Sequence, residues 1–86
     1  GDTSDISDLP AGLGVLLYTI GDYARALEYF LHSLEFVGMD PRTIYNVALS
    51  LNRLERRAEA RAWLEKTLEL DPAHEKARQM LAELPI

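Results

Sequence analysis

The side chains best suited to chemistry are few and far apart in this chain. His32 and His74 are the only histidines, they lie on different predicted helices, and there is no cysteine. Metal sites bring several His, Cys, Asp or Glu ligands together at characteristic spacings, and no such spacing surrounds either histidine. We therefore expect His32 on a solvated helix face, His74 in the first turn of the last helix, and neither a metal nor a cofactor.

The glycines do not indicate a nucleotide site. Gly12 and Gly14 flank Leu13 inside a helical pattern, whereas a phosphate-binding loop places its glycines between a strand and a helix. Close packing of a second helix on Gly14 is the interpretation that we favour. The scattered Ser, His and Asp residues do not define a catalytic triad, so we expect that the chain is not an enzyme.

The charge distribution argues against nucleic acid as a partner. The 86 residues carry a formal charge of −5, with seven acids and one base in residues 1–40 and seven acids and eight bases in residues 41–86. Nucleic-acid binding needs a strongly basic face. No apolar run approaches the roughly 18 residues of a membrane span, and the acidic N-terminus is unlike a secretory leader. We expect one domain in the cytoplasm, without membrane insertion.

Apolar residues recur at three- and four-residue steps over most of the chain, which is the spacing of amphipathic helices. The pattern predicts an all-α fold, with no strand. Residues 1–8 are polar, and we interpret them as a flexible lead-in that ends at an N-cap, Ser7 or Asp8. The first helix then runs from Leu9 to a stop at Gly21.

Four further helices are predicted from similar start and stop signals. One begins at Asp22 and ends at Gly38, and the others cover about residues 41–54, 57–69 and 73–84. Asp40 and Pro41 form an N-cap followed by a proline in the first turn. The residues expected on the apolar stripes include several near helix ends, namely Leu16, Ile20, Val37 and Leu70.

An internal repeat relates the two halves of the chain. One shift of the sequence along itself superposes small residues on small ones, Gly14 on Ala48 and Ala26 on Ala60, and large ones on large ones, such as Phe30 on Leu64. A pair of crossing helices needs small side chains where the helices approach most closely. A period of about 34 residues with two helices in each unit is typical of a helical solenoid, in which each unit packs on its neighbours.

On these residues, together with Gly21-Asp22-Tyr23 and Asp71-Pro72, the sequence resembles the tetratricopeptide repeat family over about residues 7–74. The resemblance implies an α-α superhelix of two antiparallel helical hairpins, residues 9–38 and 41–72, followed by a C-terminal capping helix, residues 73–84. One departure from the family pattern is Glu55, which replaces the glycine of the turn.

The resemblance also implies a function, because the first helix of each hairpin in this family lines a concave groove that receives a partner peptide. We expect a protein or peptide ligand of unknown identity and a scaffold or adaptor role. The matching positions for partner binding are Val15, Tyr18, Arg42, Tyr45, Asn46, Leu49, Asn52, Arg53, Lys76 and Met80. Asn46 is the sharpest candidate, because its amide can hold a peptide backbone through paired hydrogen bonds.

The kind of ligand is only partly constrained. A known subset of the family grips a C-terminal carboxylate through five polar or basic side chains, and here only Asn46 and Lys76 match, so we predict a more apolar ligand. Four arginines, Arg53, Arg56, Arg57 and Arg61, either add a contact to an acidic partner or form a solvated turn paired with neighbouring glutamates.

Two other functions remain open. The first alternative is a regulatory domain that acts in cis within a larger enzyme or signalling protein, and the clean limits around one module suggest a piece of a longer chain. The second is a self-association module. Two hairpins are fewer than the roughly three repeats that a stable solenoid needs, and under the second alternative an uncovered end pairs with another copy as a homo-oligomer.

Overall fold

The computed structural model describes residues 9–84, with side chains from residue 12 onward. Over this range it consists of five helices, and no strand is present within it, so the all-α prediction is confirmed. The helices are α1 (Leu9–Thr19), α2 (Tyr23–Val37), α3 (Pro41–Arg53), α4 (Arg57–Leu70) and α5 (Glu75–Glu83). The predicted lead-in and its cap at Ser7 or Asp8 lie outside the described residues. None of these helices is long and apolar enough to cross a membrane.

Each helix packs mainly against its neighbours in the sequence, α1 on α2, α2 on α3, α3 on α4 and α4 on α5. The molecule is accordingly elongated, with extents of 45 × 25 × 17 Å. The core follows the repeat: Ala26 and Ala60 are completely buried, as are Ala48 and Leu64 in the second hairpin. Small residues therefore stand where the helices of each hairpin cross, as the repeat predicts.

The helix starts follow the predicted capping chemistry at two places. The carboxylate of Asp22 accepts a hydrogen bond from the backbone N–H of Arg25 at the start of α2, and Asp40 accepts one from the N–H of Arg42 at the start of α3. Each bond satisfies an N–H group that has no partner inside the helix. Helix α4 lacks a side-chain cap of this kind, and instead Arg56 pairs with Glu59 in its first turn, with Nε 2.7 Å from Oε1.

The turns inside the two hairpins share one unusual backbone conformation. Gly21 has φ of 93°, and Glu55, at the equivalent position of the second hairpin, has φ of 63°. The left-handed region disfavours residues with a Cβ atom. Glu55 adopts this conformation because the hairpin requires it, since the N–H of Arg56 bonds back to the carbonyl of Leu51 just as that of Asp22 bonds to Leu17.

The structure corrects the prediction that four end-of-helix residues face inward. Leu16 is 62% exposed and Ile20 is 75% exposed, and Val37 and Leu70 are also exposed. Helix α1 packs substantially only against α2, whereas α3 lies between α2 and α4. The second hairpin has Ser50, which is buried, in place of Leu16, and Leu54, which is half-buried, in place of Ile20. Val37 and Leu70 are the last residues of α2 and α4, beyond the turns that pack in the core.

The last helix begins two residues later than predicted. Residues 71–74 form a turn in which the N–H of His74 donates to the carbonyl of Asp71, and the side chain of Asp71 accepts from the N–H of Ala73. His74 is therefore the N-cap of α5 and not part of its first turn, and its Nδ1 accepts from the N–H of Ala77 at 3.1 Å. Asp40, at the equivalent position one repeat earlier, has the same role in α3.

Candidate functional site

Side chains from successive first helices meet around one depression, which we call the groove cavity. Its volume is about 350 Å³. Tyr18 comes from α1, Leu49, Asn52 and Arg53 come from α3, and Met80 comes from α5; the α3–α4 turn and the start of α4 add Glu55 and Arg57. The structure thus brings together five of the ten residues predicted for partner binding, from three different helices.

Tyr18 and Arg53 connect the first hairpin to the second at the edge of this cavity. The Nε–H of Arg53 donates a hydrogen bond to the hydroxyl oxygen of Tyr18 at 3.1 Å. The guanidinium carbon lies 5.9 Å from the centre of the Tyr18 ring and 5.6 Å from that of Tyr23, and the two rings meet edge to face at 5.0 Å. The hydrogen bond to Tyr18 raises the pKa of Arg53, a group that is charged at neutral pH in any case. This exposed guanidinium lies beside two aromatic rings.

The four arginines around the α3–α4 turn are not equivalent in their contacts. Arg56 binds Glu59 through two hydrogen bonds of 2.7 and 2.9 Å, and the Nε of Arg61 lies 3.5 Å from a carboxylate oxygen of Glu65. Within residues 9–84, no carboxylate lies within 4.0 Å of Arg53 or Arg57. Arg53 and Arg57 are also the two arginines that line the groove cavity.

Tyr45 and Asn46 do not line this cavity, although they belong to the same helix as Leu49. The half-buried ring of Tyr45 packs on His74, with 4.7 Å between the ring centres. Burial raises the pKa of Tyr45 above its ordinary value of 10.0, and the nearby Tyr18 adds to the effect. Asn46 is half-buried, and its backbone carbonyl accepts a hydrogen bond from the hydroxyl of Ser50.

Three further predicted residues lie apart from the cavity. Val15 is exposed on α1. Arg42 is exposed in the first turn of α3, where its Nη2 lies 3.3 Å from the carboxylate of Asp40. Lys76 is exposed in the first turn of α5.

Two cavity residues, Glu55 and Arg57, are absent from the ten positions predicted for partner binding, although Arg57 belongs to the four arginines for which a contact to an acidic partner is one of two predicted roles. The predicted positions are restricted to α1, α3 and the capping helix α5, whereas these two belong to the turn after α3 and the start of α4. The signal in the sequence is Glu55 at the place of the turn glycine, because it puts a charged residue at the turn between Arg53 and Arg57. Among residues 9–84 no three His, Asp or Glu side chains come together as a possible metal site.

Comparisons with known proteins agree with the repeat. Sequence models of the tetratricopeptide repeat match residues 11–36 and residues 41–74. Intraflagellar transport protein 70A of Danio rerio is 32% identical over 62 residues, which is 72% of this chain and 10% of that protein. The chain therefore spans about a tenth of the length of this curated relative. The chain belongs to the tetratricopeptide repeat family, and it is a helical repeat module of the kind through which proteins bind other proteins.

Proposed function

We propose that the chain binds a segment of a partner protein in the groove cavity and acts in this way as a scaffold or adaptor in the cytoplasm, without catalysing a reaction. The observation that carries the proposal is that α1, α3 and α5 all contribute side chains to one depression of about 350 Å³. A segment lying in this depression contacts three successive units at once. Each contact is then supported by a rigid helix.

The lining has the composition that suits a peptide. Leu49 and Met80 provide apolar surface, and the ring of Tyr18 adds an aromatic one. The amide of Asn52 both donates and accepts hydrogen bonds, so it can pair with a peptide backbone. Four of the seven lining residues are polar or charged, so the cavity offers a small apolar surface beside several polar groups that can fix the orientation of a ligand. The contacts proposed for the flanks of a longer ligand are Val15, Arg42, Tyr45, Asn46 and Lys76.

Selection from a random library provides the test. We would select 12-residue peptides displayed on phage against the chain, and measure the affinity of the enriched peptides by fluorescence anisotropy. The Asn52→Ala and Leu49→Ala variants should each weaken binding about threefold to tenfold, the scale of a lost hydrogen bond or apolar contact. The matched controls are Leu31→Ala and Lys66→Ala, whose exposed side chains lie on α2 and α4.

Equal affinity for the groove variants and the wild type contradicts binding in this cavity. A selection that enriches no peptide also contradicts it, and favours the alternative that the domain acts in cis within a larger protein. Thermal melts followed by circular dichroism show whether each variant is folded.

Self-association is a second candidate, and the surface of α1 favours it. This helix has no charged residue and exposes Val15 and Leu16, and Ile20 is exposed just after its end. A helix that is apolar on all sides is normally covered. Sedimentation equilibrium over a wide concentration range tests the idea: a dimer that Leu16→Gln with Ile20→Gln converts to a monomer supports it, and a wild-type monomer at every concentration contradicts it.

A further inference from the structure

The four arginines around the α3–α4 turn differ in what they contact. Arg56 and Arg61 are paired with Glu59 and Glu65 along α4, as a solvated helix surface predicts. Arg53 and Arg57 line the groove cavity, and within the described part of the chain neither has a carboxylate within 4.0 Å. A charged side chain gains most from a partner when its position is already fixed and its own chain does not neutralise it.

Arg53 is held with one edge of its guanidinium available. Its Nε–H donates to the hydroxyl of Tyr18, and the group lies near the rings of Tyr18 and Tyr23. The two terminal nitrogens form the other edge of the planar group, and this edge matches the two oxygens of a carboxylate. Arg53 is exposed, and its hydrogen bond to Tyr18 favours one orientation of the guanidinium before a ligand binds, which lowers the entropy lost on binding.

The rest of the lining specifies what surrounds the carboxylate. Leu49 and Met80 line the same cavity as the two arginines, so an aliphatic side chain of the ligand can be buried beside its acidic one. The cavity holds two guanidinium groups and one carboxylate, that of Glu55, which gives a sum of +1. This charge matches one carboxylate better than a phosphorylated side chain, which carries about −1.5 to −2 at neutral pH.

We propose that the groove cavity recognises a partner segment in which an aspartate or glutamate stands next to an aliphatic residue, with the carboxylate bound by Arg53 and Arg57. The proposal rests on the proposed function, and it adds the chemical class of the ligand. The sequence predicts a largely apolar ligand, and the proposal adds one acidic side chain at a fixed position in it.

The test compares peptides selected against three proteins. The random 12-residue phage library is selected in parallel on the wild type, on the Arg53→Gln, Arg57→Gln double variant, and on the Arg56→Gln, Arg61→Gln double variant. The last is the matched control, because it changes the net charge equally but alters arginines outside the cavity. The wild type and the control should both enrich an acidic residue beside an aliphatic one, and the cavity variant should not.

Individual peptides then give the strength of the contact. One peptide from the wild-type selection is synthesised with its acidic residue, with the corresponding amide, and with phosphoserine at that position. Replacement by the amide should weaken binding to the wild type about tenfold or more, as expected for a charge-assisted hydrogen-bond pair. The same replacement should have little effect on Arg53→Gln, Arg57→Gln. Arg57→Gln alone leaves the Tyr18 contact intact, and it should lose part of the preference.

The outcomes separate this proposal from the broader one. Enriched peptides that need Leu49 and Asn52 but no acidic residue overturn the carboxylate contact and leave groove binding intact. Equal losses for the cavity variant and the control overturn it in favour of unspecific charge attraction, and tighter binding of the phosphoserine peptide overturns the assignment to a carboxylate. Selection of no groove-dependent peptide overturns both proposals.

Discussion

Gly14 of α1 lies directly against the ring of Phe30 on α2, so closely that a methyl group on Gly14 would be 2.7 Å from the nearest ring carbon. Phe30 is almost completely buried, so a shift of its ring would disturb the packing of its neighbours in the core. The second hairpin has Ala48 and Leu64 at the equivalent positions, both completely buried. In both hairpins a small residue of the first helix is thus paired with a large residue of the second. The pair is glycine with phenylalanine in the first hairpin and alanine with leucine in the second.

This relationship predicts coupling between the two positions. Gly14→Ala should destabilise the chain by about 1–3 kcal/mol through overpacking, although alanine favours helix formation by up to about 1 kcal/mol. Phe30→Leu should relieve the clash, so that the double variant is more stable than the sum of the single changes by about 1 kcal/mol. Urea unfolding of the four proteins measures this coupling. Additive effects would show that Gly14 and Phe30 do not meet at the crossing of α1 and α2.

Glu55 predicts a stabilising substitution. Its φ of 63° costs a residue with a Cβ atom about 1–2 kcal/mol, part of which glycine recovers at the expense of a more flexible unfolded chain. Glu55→Gly should therefore raise the free energy of unfolding by about 0.5–1 kcal/mol, the difference between these two effects. Gly21→Ala at the equivalent turn should lower it, since Gly21 has φ of 93°. A destabilised Glu55→Gly protein would mean that the side chain of Glu55 makes a contribution larger than the backbone strain.

His74 is expected to stabilise α5, because it is the N-cap of this helix. His74→Ala removes the acceptor for the N–H of Ala77 and should cost about 1 kcal/mol, the usual value for an N-cap. His74→Asp keeps an acceptor at the helix N-terminus, and it should retain most of the stability although it loses the contact with Tyr45. Chemical unfolding measures both. If His74→Asp is as destabilised as His74→Ala, then the packing on Tyr45 and not the cap is what stabilises α5.

Tyr45 predicts a loss of stability in alkaline solution. Because burial, with a smaller effect of Tyr18, raises its pKa in the folded state, the folded chain holds the phenol proton more tightly than the unfolded chain does. The corresponding stability is complete below the ordinary pKa of 10.0, and it is lost as the pH rises through the folded-state value. Urea unfolding between pH 8 and 11 should show a smaller decrease for Tyr45→Phe than for the wild type. Parallel decreases would contradict a shifted Tyr45.

The parts of the fold that the sequence predicts are those that depend on local chemistry and on the repeat. Asp22 and Asp40 begin helices because their side chains can bond to free N–H groups, and this is visible in the sequence alone. The small residues at Gly14 and Ala48 are likewise recognisable once the two repeats are superposed. The exposure of Leu16 and Ile20 cannot be recognised in the sequence. An apolar stripe shows that a helix face can be covered, but it does not show whether a neighbouring helix lies on that side.

The candidate site is predictable to a smaller extent for a related reason. Helical spacing places Tyr45, Asn46 and Leu49 on one helix. It does not show which of these side chains contacts another residue of the chain instead of lining the cavity. Tyr45 packs on His74 and Arg42 pairs with Asp40, and neither Tyr45 nor Arg42 lines the cavity. The side chains of the α3–α4 turn enter the cavity because of the three-dimensional course of the chain, which no spacing within a single helix reveals.

The most direct test of the central claim is to locate a bound peptide on the structure. A ¹⁵N-labelled chain would be titrated with a peptide selected from the phage library, and the changes in its amide NMR signals would be followed. We predict that the largest changes occur at Leu49, Asn52, Arg53 and Met80, with small changes at Leu31, Lys66 and Glu69. Changes concentrated on the second helices, with Leu49 and Met80 unaffected, would contradict binding in the groove cavity.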